Sequence, residues 1–218
     1  MMIFCRWIVA IAICSLPGLV LLWPTHAENQ MTRLVALGDS LTAGYGVPSS
    51  AAFPVQLEQA LKQKGYSVSI ANAGVSGDTT AMGLARLNQS VPDNTDAVIL
   101  ELGANDMLRG YEPDVARASL TTILQNLHRR HIPVLLCGVH TQPSRGVQYQ
   151  NAFAVMFADL AREYDLLFYP AFDEAFVDDA SLKQLDQLHP TADGVAQVVA
   201  RMLPMVEALI ERSHHRGQ

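Results

Sequence analysis

A serine, a histidine and an aspartate of this chain stand in segments whose local sequence favours chemistry. Ser40 lies in ALGDSLTAGYG, residues 36–46, directly after an apolar run. Proline suits the first position of a helix, so Pro190 should begin one and His189, which precedes it, should lie at the helix entrance. Asp186 stands three residues before His189, so its carboxylate can fold back to accept a hydrogen bond from the imidazole. The other ring nitrogen is then free to take a proton from a serine hydroxyl. These residue types favour acyl transfer, with Ser40 as nucleophile, His189 as base and Asp186 as the group that orients the base.

Each of these side chains also has an ordinary structural alternative. Ser40 could cap a helix, which is the commoner role of a serine after a strand. Asp186 and His189 could be a pair of surface residues. Neither alternative explains why all three residue types occur together, so the combination favours the catalytic interpretation.

Two further segments offer hydrogen-bond donors for the same chemistry. NAGVSGDTT, residues 72–80, contains Gly77, and LGANDMLRG, residues 102–110, contains Asn105. The Gly77 N–H and the Asn105 amide could join the Ser40 N–H as an oxyanion hole for a tetrahedral intermediate. The alternatives are a local turn at Asn105 and a backbone conformation that requires glycine at Gly77.

Three other residues of these segments are expected to support the loops. Asp39 and Asp106 should hold them through backbone hydrogen bonds and take no direct part in the chemistry. Gly74 is interpreted as a tight-turn residue.

Short apolar runs alternate with amphipathic stretches, and this alternation predicts an α/β fold with a parallel sheet between layers of helices. Ligands of open parallel sheets bind outside the carboxyl ends of the strands, so the polar loops after the first three strands should converge there with residues 186–194. The runs that resemble strands buried on both faces are residues 33–37, 67–71, 97–102, 134–139 and the weaker 166–169.

Apolar residues at helical spacing predict helices between and after these strands. Phe153, Met156 and Phe157 share one face of such a stretch, and we interpret them as core residues and not as an acyl-chain groove. The predicted helices cover residues 54–64, 120–127, 149–164 and 195–210.

The first 27 residues resemble a secretory signal. Arg6 precedes an apolar run over residues 7–23, and Thr25-His26-Ala27 has small residues at the cleavage positions. An uncleaved membrane anchor is the alternative, but Ser15, Pro17 and Gly18 interrupt the run. We expect cleavage, a periplasmic or secreted protein without stable membrane insertion, and one domain over residues 28–218. Cys137 is then the one remaining cysteine, and its apolar surroundings indicate a buried strand position.

Composition excludes several classes of function. The net charge is -6 and no basic run is interleaved with aromatic residues, so no nucleic-acid partner is expected. The chain lacks a P-loop and a G-x-G-x-x-G motif. His128 with His131, and His214 with His215, lack the clustered carboxylates or cysteines of a metal site. We therefore expect neither a metal nor a cofactor.

The motifs together resemble the four blocks of the GDSL, or SGNH, hydrolase family. The resemblance covers the mature chain in order, and its nearest group is the bacterial multifunctional acyl-CoA thioesterase, lysophospholipase and arylesterase proteins. It implies a flavodoxin-like three-layer sandwich with about five strands, the catalytic residues Ser40, Asp186 and His189, and an oxyanion hole formed by Ser40, Gly77 and Asn105. The blocks are Gly38-Asp39-Ser40-Leu41, Gly77, Gly103-Ala104-Asn105-Asp106 and Asp186-x-x-His189-Pro190.

Ala104 departs from this pattern, since close relatives often carry a second glycine there, and we expect it to affect loop flexibility more than chemistry. The resemblance implies a small acyl ester or thioester as substrate, and we expect a monomer. Two alternatives remain open: a carbohydrate acetylesterase on the same fold, and a flavodoxin-like flavin-binding protein. The flavin-binding alternative leaves the Asp186 and His189 pair unexplained.

Overall fold

The computed structural model describes residues 31–140 and 145–215. Five parallel strands form one sheet: β1 (Thr32–Gly38), β2 (Val68–Gly74), β3 (Ala97–Glu101), β4 (Val134–Cys137) and β5 (Leu167–Tyr169). Their order across the sheet is β2-β1-β3-β4-β5. At the carboxyl edge, Gly38 of β1 pairs in register with Gly74 on one side and with Glu101 on the other. The loops after these three strands therefore leave the sheet side by side.

Helices connect the strands and cover both faces of the sheet. The described helices are α1 (Ser40–Ala43), α2 (Phe53–Gln63), α3 (Thr80–Ala85), α4 (Leu87–Ser90), α5 (Ala104–Arg109), α6 (Pro113–Arg129), α7 (Val147–Glu163) and α8 (Ala192–His214). Short 3-10 turns cover Ser49–Ala51, Phe172–Ala175 and Ala180–Leu182. The helix predicted over residues 54–64 is α2, which carries proline in its first turn. Gly65 follows its end with a positive φ of 91°.

Each face of the sheet packs against its own hydrophobic core. Leu34 and Ala36 of β1 join the core formed with α2 and α8, whereas Val35 and Leu37 join the core formed with α6 and α7. This division follows from the alternation of side chains along a strand. It produces the predicted three-layer α/β arrangement.

The aromatic face of α7 belongs to the second of these cores. Phe153, Met156 and Phe157 are at most 4% exposed. Their burial confirms the interpretation as core residues. Cys137 is likewise buried at the end of β4, as expected.

Strand β2 differs from its prediction in burial and in length. Burial on both faces was wrong here, because Val68 and Ile70 are buried while Ser69 and Ala71 are exposed. The physical reason is the position of β2 at the edge of the sheet, where helices cover one face of it. The strand also continues to Gly74, because its pairing with β1 extends to Gly38.

The predicted signal, residues 1–27, lies outside the described residues. Among the helices of residues 31–140 and 145–215, none combines the length and the apolar composition needed to cross a membrane.

Candidate active site

The loops after β1, β2 and β3 meet the loop before α8 around one cavity. The cavity encloses about 570 Å³ and is lined by Ser40, Gly77, Asn105 and His189, among other residues. The predicted convergence of these loops is therefore present. Asp186 contacts His189 from behind the cavity wall.

Ser40 is the first residue of α1, directly after the end of β1. Asp39 caps this helix, because its Oδ1 accepts the Leu41 N–H at 3.0 Å, so the serine is not the cap. The helix is four residues long and ends at Gly44, which has a left-handed φ of 83°. This short turn brings the Ser40 Oγ to 2.8 Å from His189 Nε2.

Asp186 holds the histidine from the other side. Its Oδ2 lies 2.7 Å from His189 Nδ1, and its Oδ1 accepts the N–H groups of Leu188 and His189, each at 3.0 Å. Burial is the largest single influence on this carboxyl and raises its pKa, but the hydrogen bonds from His189 and Leu188 outweigh it and lower the pKa to about 2. Asp186 is therefore a carboxylate at neutral pH, which places a hydrogen on Nδ1 and leaves Nε2 as the proton acceptor.

The sequence placed Pro190 at the first helical position, and this was wrong. Helix α8 begins at Ala192, and the Thr191 hydroxyl caps it by accepting the Gly194 N–H at 3.2 Å. Pro190 instead forms an isolated antiparallel bridge with Lys183, which closes the loop that carries the histidine. His189 still lies just outside a helix entrance, as expected.

Asn105 and Gly77 line the same cavity. Asn105 lies in the first turn of α5, and its Nδ2 donates to Asp39 Oδ2 at 3.0 Å. A primary amide carries a second hydrogen on that nitrogen. Gly77 also lines the cavity and has a φ of 89°, a conformation that favours glycine.

Two arginines and two aspartates brace these loops. Arg86 pairs with Asp78 and donates to the Gly38 carbonyl at 2.9 Å, and Arg109 donates to the Gly77 carbonyl at 2.9 Å. Asp106 accepts the N–H of Thr80 at 2.8 Å and its hydroxyl at 2.7 Å.

Asp39 and Asp106 thus support backbone, as the sequence indicated. The tight-turn interpretation of Gly74 was wrong. This residue ends β2 in extended backbone, and a Cβ there would overlap the backbone nitrogen of Ala43 in α1. Glycine is required by close packing of α1 against β2 and not by a turn.

Sequence reasoning missed Glu101, which lies at the end of β3 and is 1% exposed. Burial, followed by the nearby Asp39, raises the pKa of Glu101 well above its usual range. Burial also raises the pKa of Asp39 to about 6, against hydrogen bonds from Leu41 and Asn105 that lower it. An acid that directly follows an apolar strand, in the segment AVILE, is the signal that could have identified it.

Tyr45 was also missed. Its ring centroid lies 4.5 Å from that of His189, and the side chain is half exposed beside the cavity. Such a contact shields one face of the imidazole from water. Nothing in the local sequence distinguishes this tyrosine from a surface residue.

Comparison with known proteins assigns the chain to a family. Residues 36–197 match the GDSL-like lipase/acylhydrolase family, and this range includes the whole of the cavity lining. The chain belongs to this family.

Three similar proteins illustrate the match. An arylesterase from Vibrio mimicus is 35% identical over 191 residues, 85% of this chain and 96% of the relative. Thioesterase 1/protease 1/lysophospholipase L1 from Escherichia coli (strain K12) is 34% identical over 196 residues, 89% of this chain and 93% of the relative. The crystal structure of AlinE4, an SGNH-hydrolase family esterase, matches with a TM-score of 0.69 and 44% identity over 82% of this chain and 96% of its own.

The block around Asn105 shows how this GDSL-like chain tolerates its departure from the family pattern. Gly103 has a φ of 130°, and a Cβ there would lie 2.8 Å from the Phe157 ring. Ala104 follows as the first residue of α5, where a methyl group is favourable. The essential glycine of the block is therefore Gly103.

Proposed function

We propose that the protein is a serine hydrolase that cleaves carboxylic esters and thioesters through an acyl-enzyme intermediate. The observation that carries this proposal is the chain of short contacts in the cavity, 2.8 Å from Ser40 to His189 and 2.7 Å from His189 to Asp186. Membership of the GDSL-like lipase/acylhydrolase family supports it.

The proposed reaction uses these contacts in order. His189 Nε2 takes the Ser40 proton as Oγ attacks the acyl carbon, and Asp186 stabilises the imidazolium. The Ser40 N–H, the Gly77 N–H and the second hydrogen of Asn105 Nδ2 face the oxyanion. The intermediate collapses as His189 gives its proton to the leaving oxygen or sulfur, and a water activated by the same imidazole then releases the acid and restores the serine.

The cavity wall favours an apolar acyl chain. Its apolar side chains outnumber its charged ones, and 570 Å³ is enough for a medium-length chain. The activities that name the relatives, arylesterase and thioesterase/lysophospholipase, share an acyl group and differ in the leaving group. They favour neither the carbohydrate-esterase nor the flavin-binding alternative. The apolar lining consists of Leu41, Ala104, Met107, Leu108, Val139, Phe176, Val177 and Leu188.

We further infer that residues 1–27 are a cleaved export signal and that the enzyme acts as a monomer in the periplasm or outside the cell. One chain contains the whole relay and the whole cavity, which supports the monomer. For an exported enzyme, lysophospholipids or external esters are more accessible substrates than cytosolic acyl-CoA.

A substrate panel on one preparation tests the proposed activity. Aryl esters, acyl-CoA thioesters and lysophospholipids with the same acyl chains should all be hydrolysed, with the acyl chain and not the leaving group dominating KM. Ser40→Ala should abolish every activity, whereas Ser69→Ala, on the exposed face of β2, should leave them intact. A folded protein that hydrolyses none of these substrates, or a Ser40→Ala variant that retains turnover, would contradict the proposal.

A further inference from the structure

Glu101 lies beneath the turn that carries Ser40. Its Oε2 accepts the Thr42 hydroxyl at 2.8 Å and the Asp39 N–H at 3.3 Å. Its Oε1 is buried without a hydrogen-bond partner among the described residues. A buried acid with an unsatisfied oxygen destabilises a fold. Its presence at this position therefore calls for a specific role.

The space for this carboxyl is created by Gly38. A Cβ at Gly38 would overlap the Thr42 hydroxyl and would lie 2.7 Å from Glu101 Oε2. Contacts under 3 Å do not occur for real Cβ atoms, so a side chain at Gly38 would displace the acid. The glycine before Asp39 and Ser40 therefore accommodates Glu101.

Two buried carboxyl groups this close cannot both be charged. Asp39 is 0% exposed and Glu101 is 1% exposed, and the Asp39 N–H donates to Glu101 Oε2 at 3.3 Å. Two ionised groups would repel strongly in such surroundings. One proton held by the pair removes the second charge.

Asp39 links Glu101 to the residues of the candidate active site. Its Oδ1 accepts the N–H of Leu41, which fixes the turn that presents Ser40. Its Oδ2 accepts a hydrogen of the Asn105 amide, which sets the direction of the other hydrogen.

We propose that Glu101 is a positioning residue of the hydrolase, which shares one proton with Asp39 and thereby fixes the carboxylate that orients the Asn105 amide and the Ser40 turn. This inference rests on the proposed function. Glu101 touches no substrate and acts through Asp39. The other titratable groups near the pair are Cys137, buried beside Glu101 on β4, and His189, on the cavity side of Asp39.

Substitutions at Glu101 distinguish a role that depends on the shared proton from a role in packing alone. Glu101→Gln keeps the shape, an acceptor for Thr42 and a donor for Asp39, so it should retain most of kcat. Glu101→Leu removes both polar functions, so kcat should fall about 10- to 100-fold with KM nearly unchanged, because donor misplacement slows the chemical step. Cys137→Ala, a matched buried neighbour in register, should lower stability and leave kcat unchanged.

A double variant that combines Glu101→Leu with Asn105→Ala distinguishes a positioning role from a purely structural one. The quantity compared is the loss of kcat in the single and double variants. Because Glu101 acts largely through Asn105, Glu101→Leu should slow an Asn105→Ala enzyme much less than it slows the wild type. Multiplicative losses in the double variant would overturn the proposal. So would a Glu101→Gln variant as slow as Glu101→Leu, or a folded Glu101→Leu variant with normal kcat.

Two controls keep the result interpretable. If Glu101→Leu does not fold, Glu101→Met offers an unbranched apolar side chain for the same comparison. If neither folds, a folded Glu101→Gln variant decides the matter, since retained kcat supports the shared proton and lost kcat overturns it. A wild type that hydrolyses no ester would refute the proposed function instead, before any Glu101 variant is compared.

Discussion

Asn105 is held in position by one contact and is proposed to stabilise the oxyanion through another. One hydrogen of Nδ2 is bound by Asp39 at 3.0 Å, and the side chain lines the cavity beside Ser40. A donor fixed in this way can strengthen its bond as the carbonyl oxygen becomes an oxyanion.

We expect Asn105→Ala to lower kcat by roughly 10²- to 10³-fold, about 2.7 to 4 kcal/mol, with a smaller effect on KM. Asn105→Asp should be at least as damaging, because an ionised carboxylate offers no donor and repels the oxyanion. Steady-state kinetics on an activated aryl ester, with exposed Asn88→Ala as control, measure this. Near-normal kcat in folded Asn105→Asp, with chemistry limiting the rate, would remove Asn105 from the oxyanion hole.

The raised pKa of Glu101 also predicts how stability depends on pH. Above its ordinary pKa of 4.5 the unfolded chain loses this proton, whereas the folded protein keeps it up to the raised pKa. In that window each pH unit therefore favours unfolding by about 1.4 kcal/mol through Glu101 alone.

Glu101→Gln has no such proton to lose, so its Tm relative to the wild type should rise between pH 5 and pH 8. Thermal melts of both proteins in matched buffers measure the difference. If the Tm of Glu101→Gln relative to the wild type stays constant, or falls, with rising pH, then Glu101 is ionised in the folded state.

At the residue scale, the sequence predicted the site residues that can be recognised from residue type and order along the chain. It missed the residues whose importance comes from a contact with a residue distant in sequence. Ser40, His189 and Asp186 lie together because each stands at a recognisable loop. Glu101 and Tyr45 could not be assigned in this way, because their importance comes from Asp39 and His189, which are distant in sequence.

At the scale of elements, the position of α1 depends on glycines in the sheet beneath it. Gly38 leaves room for Glu101, and Gly74 lets the end of β2 approach the backbone of Ala43. The alternation of strands and helices was predictable from apolar spacing, whereas this close approach was not, because a glycine in a loop motif resembles any turn glycine. The exposure of Ser69 escaped prediction for a similar reason, since an isolated run does not reveal an edge strand.

Gly74→Ala should therefore destabilise the protein by about 1 to 3 kcal/mol and also lower kcat, because the added methyl group displaces α1 and with it Ser40. Gly65→Ala is the matched control. Gly65 has a φ of 91°, and a methyl group added there would have no neighbour within 4 Å, so its substitution should cost stability only. Denaturant melts and kcat measured together test this, and a Gly74→Ala enzyme with unaltered kcat would show that α1 is placed independently of β2.

At the scale of the whole molecule, the two hydrophobic cores support the sheet whose carboxyl edge carries the candidate active site. The family match from residue 36 to residue 197 includes the cavity lining and residues of both cores. Strand β1 begins at Thr32, so cleavage after Ala27 would remove no residue of a described element. Removal of the signal and formation of the active fold are therefore compatible.

The export proposal predicts a mature protein that begins at Glu28 and is recovered from the periplasm or the medium as a monomer. Intact-mass measurement and light scattering on material from the native compartment test both parts. Full-length protein retained in membranes would favour the uncleaved anchor, and a stable dimer would refute the monomer.

The assignment of Ser40 as the nucleophile is tested most directly by covalent labelling with a fluorophosphonate, followed by peptide mapping. One adduct per chain is expected, located on Ser40, formed equally in Ser69→Ala, absent in Ser40→Ala and slowed in His189→Ala. Labelling that survives Ser40→Ala, or an adduct mapped to another residue of the active wild type, would contradict the assignment and the mechanism built on it.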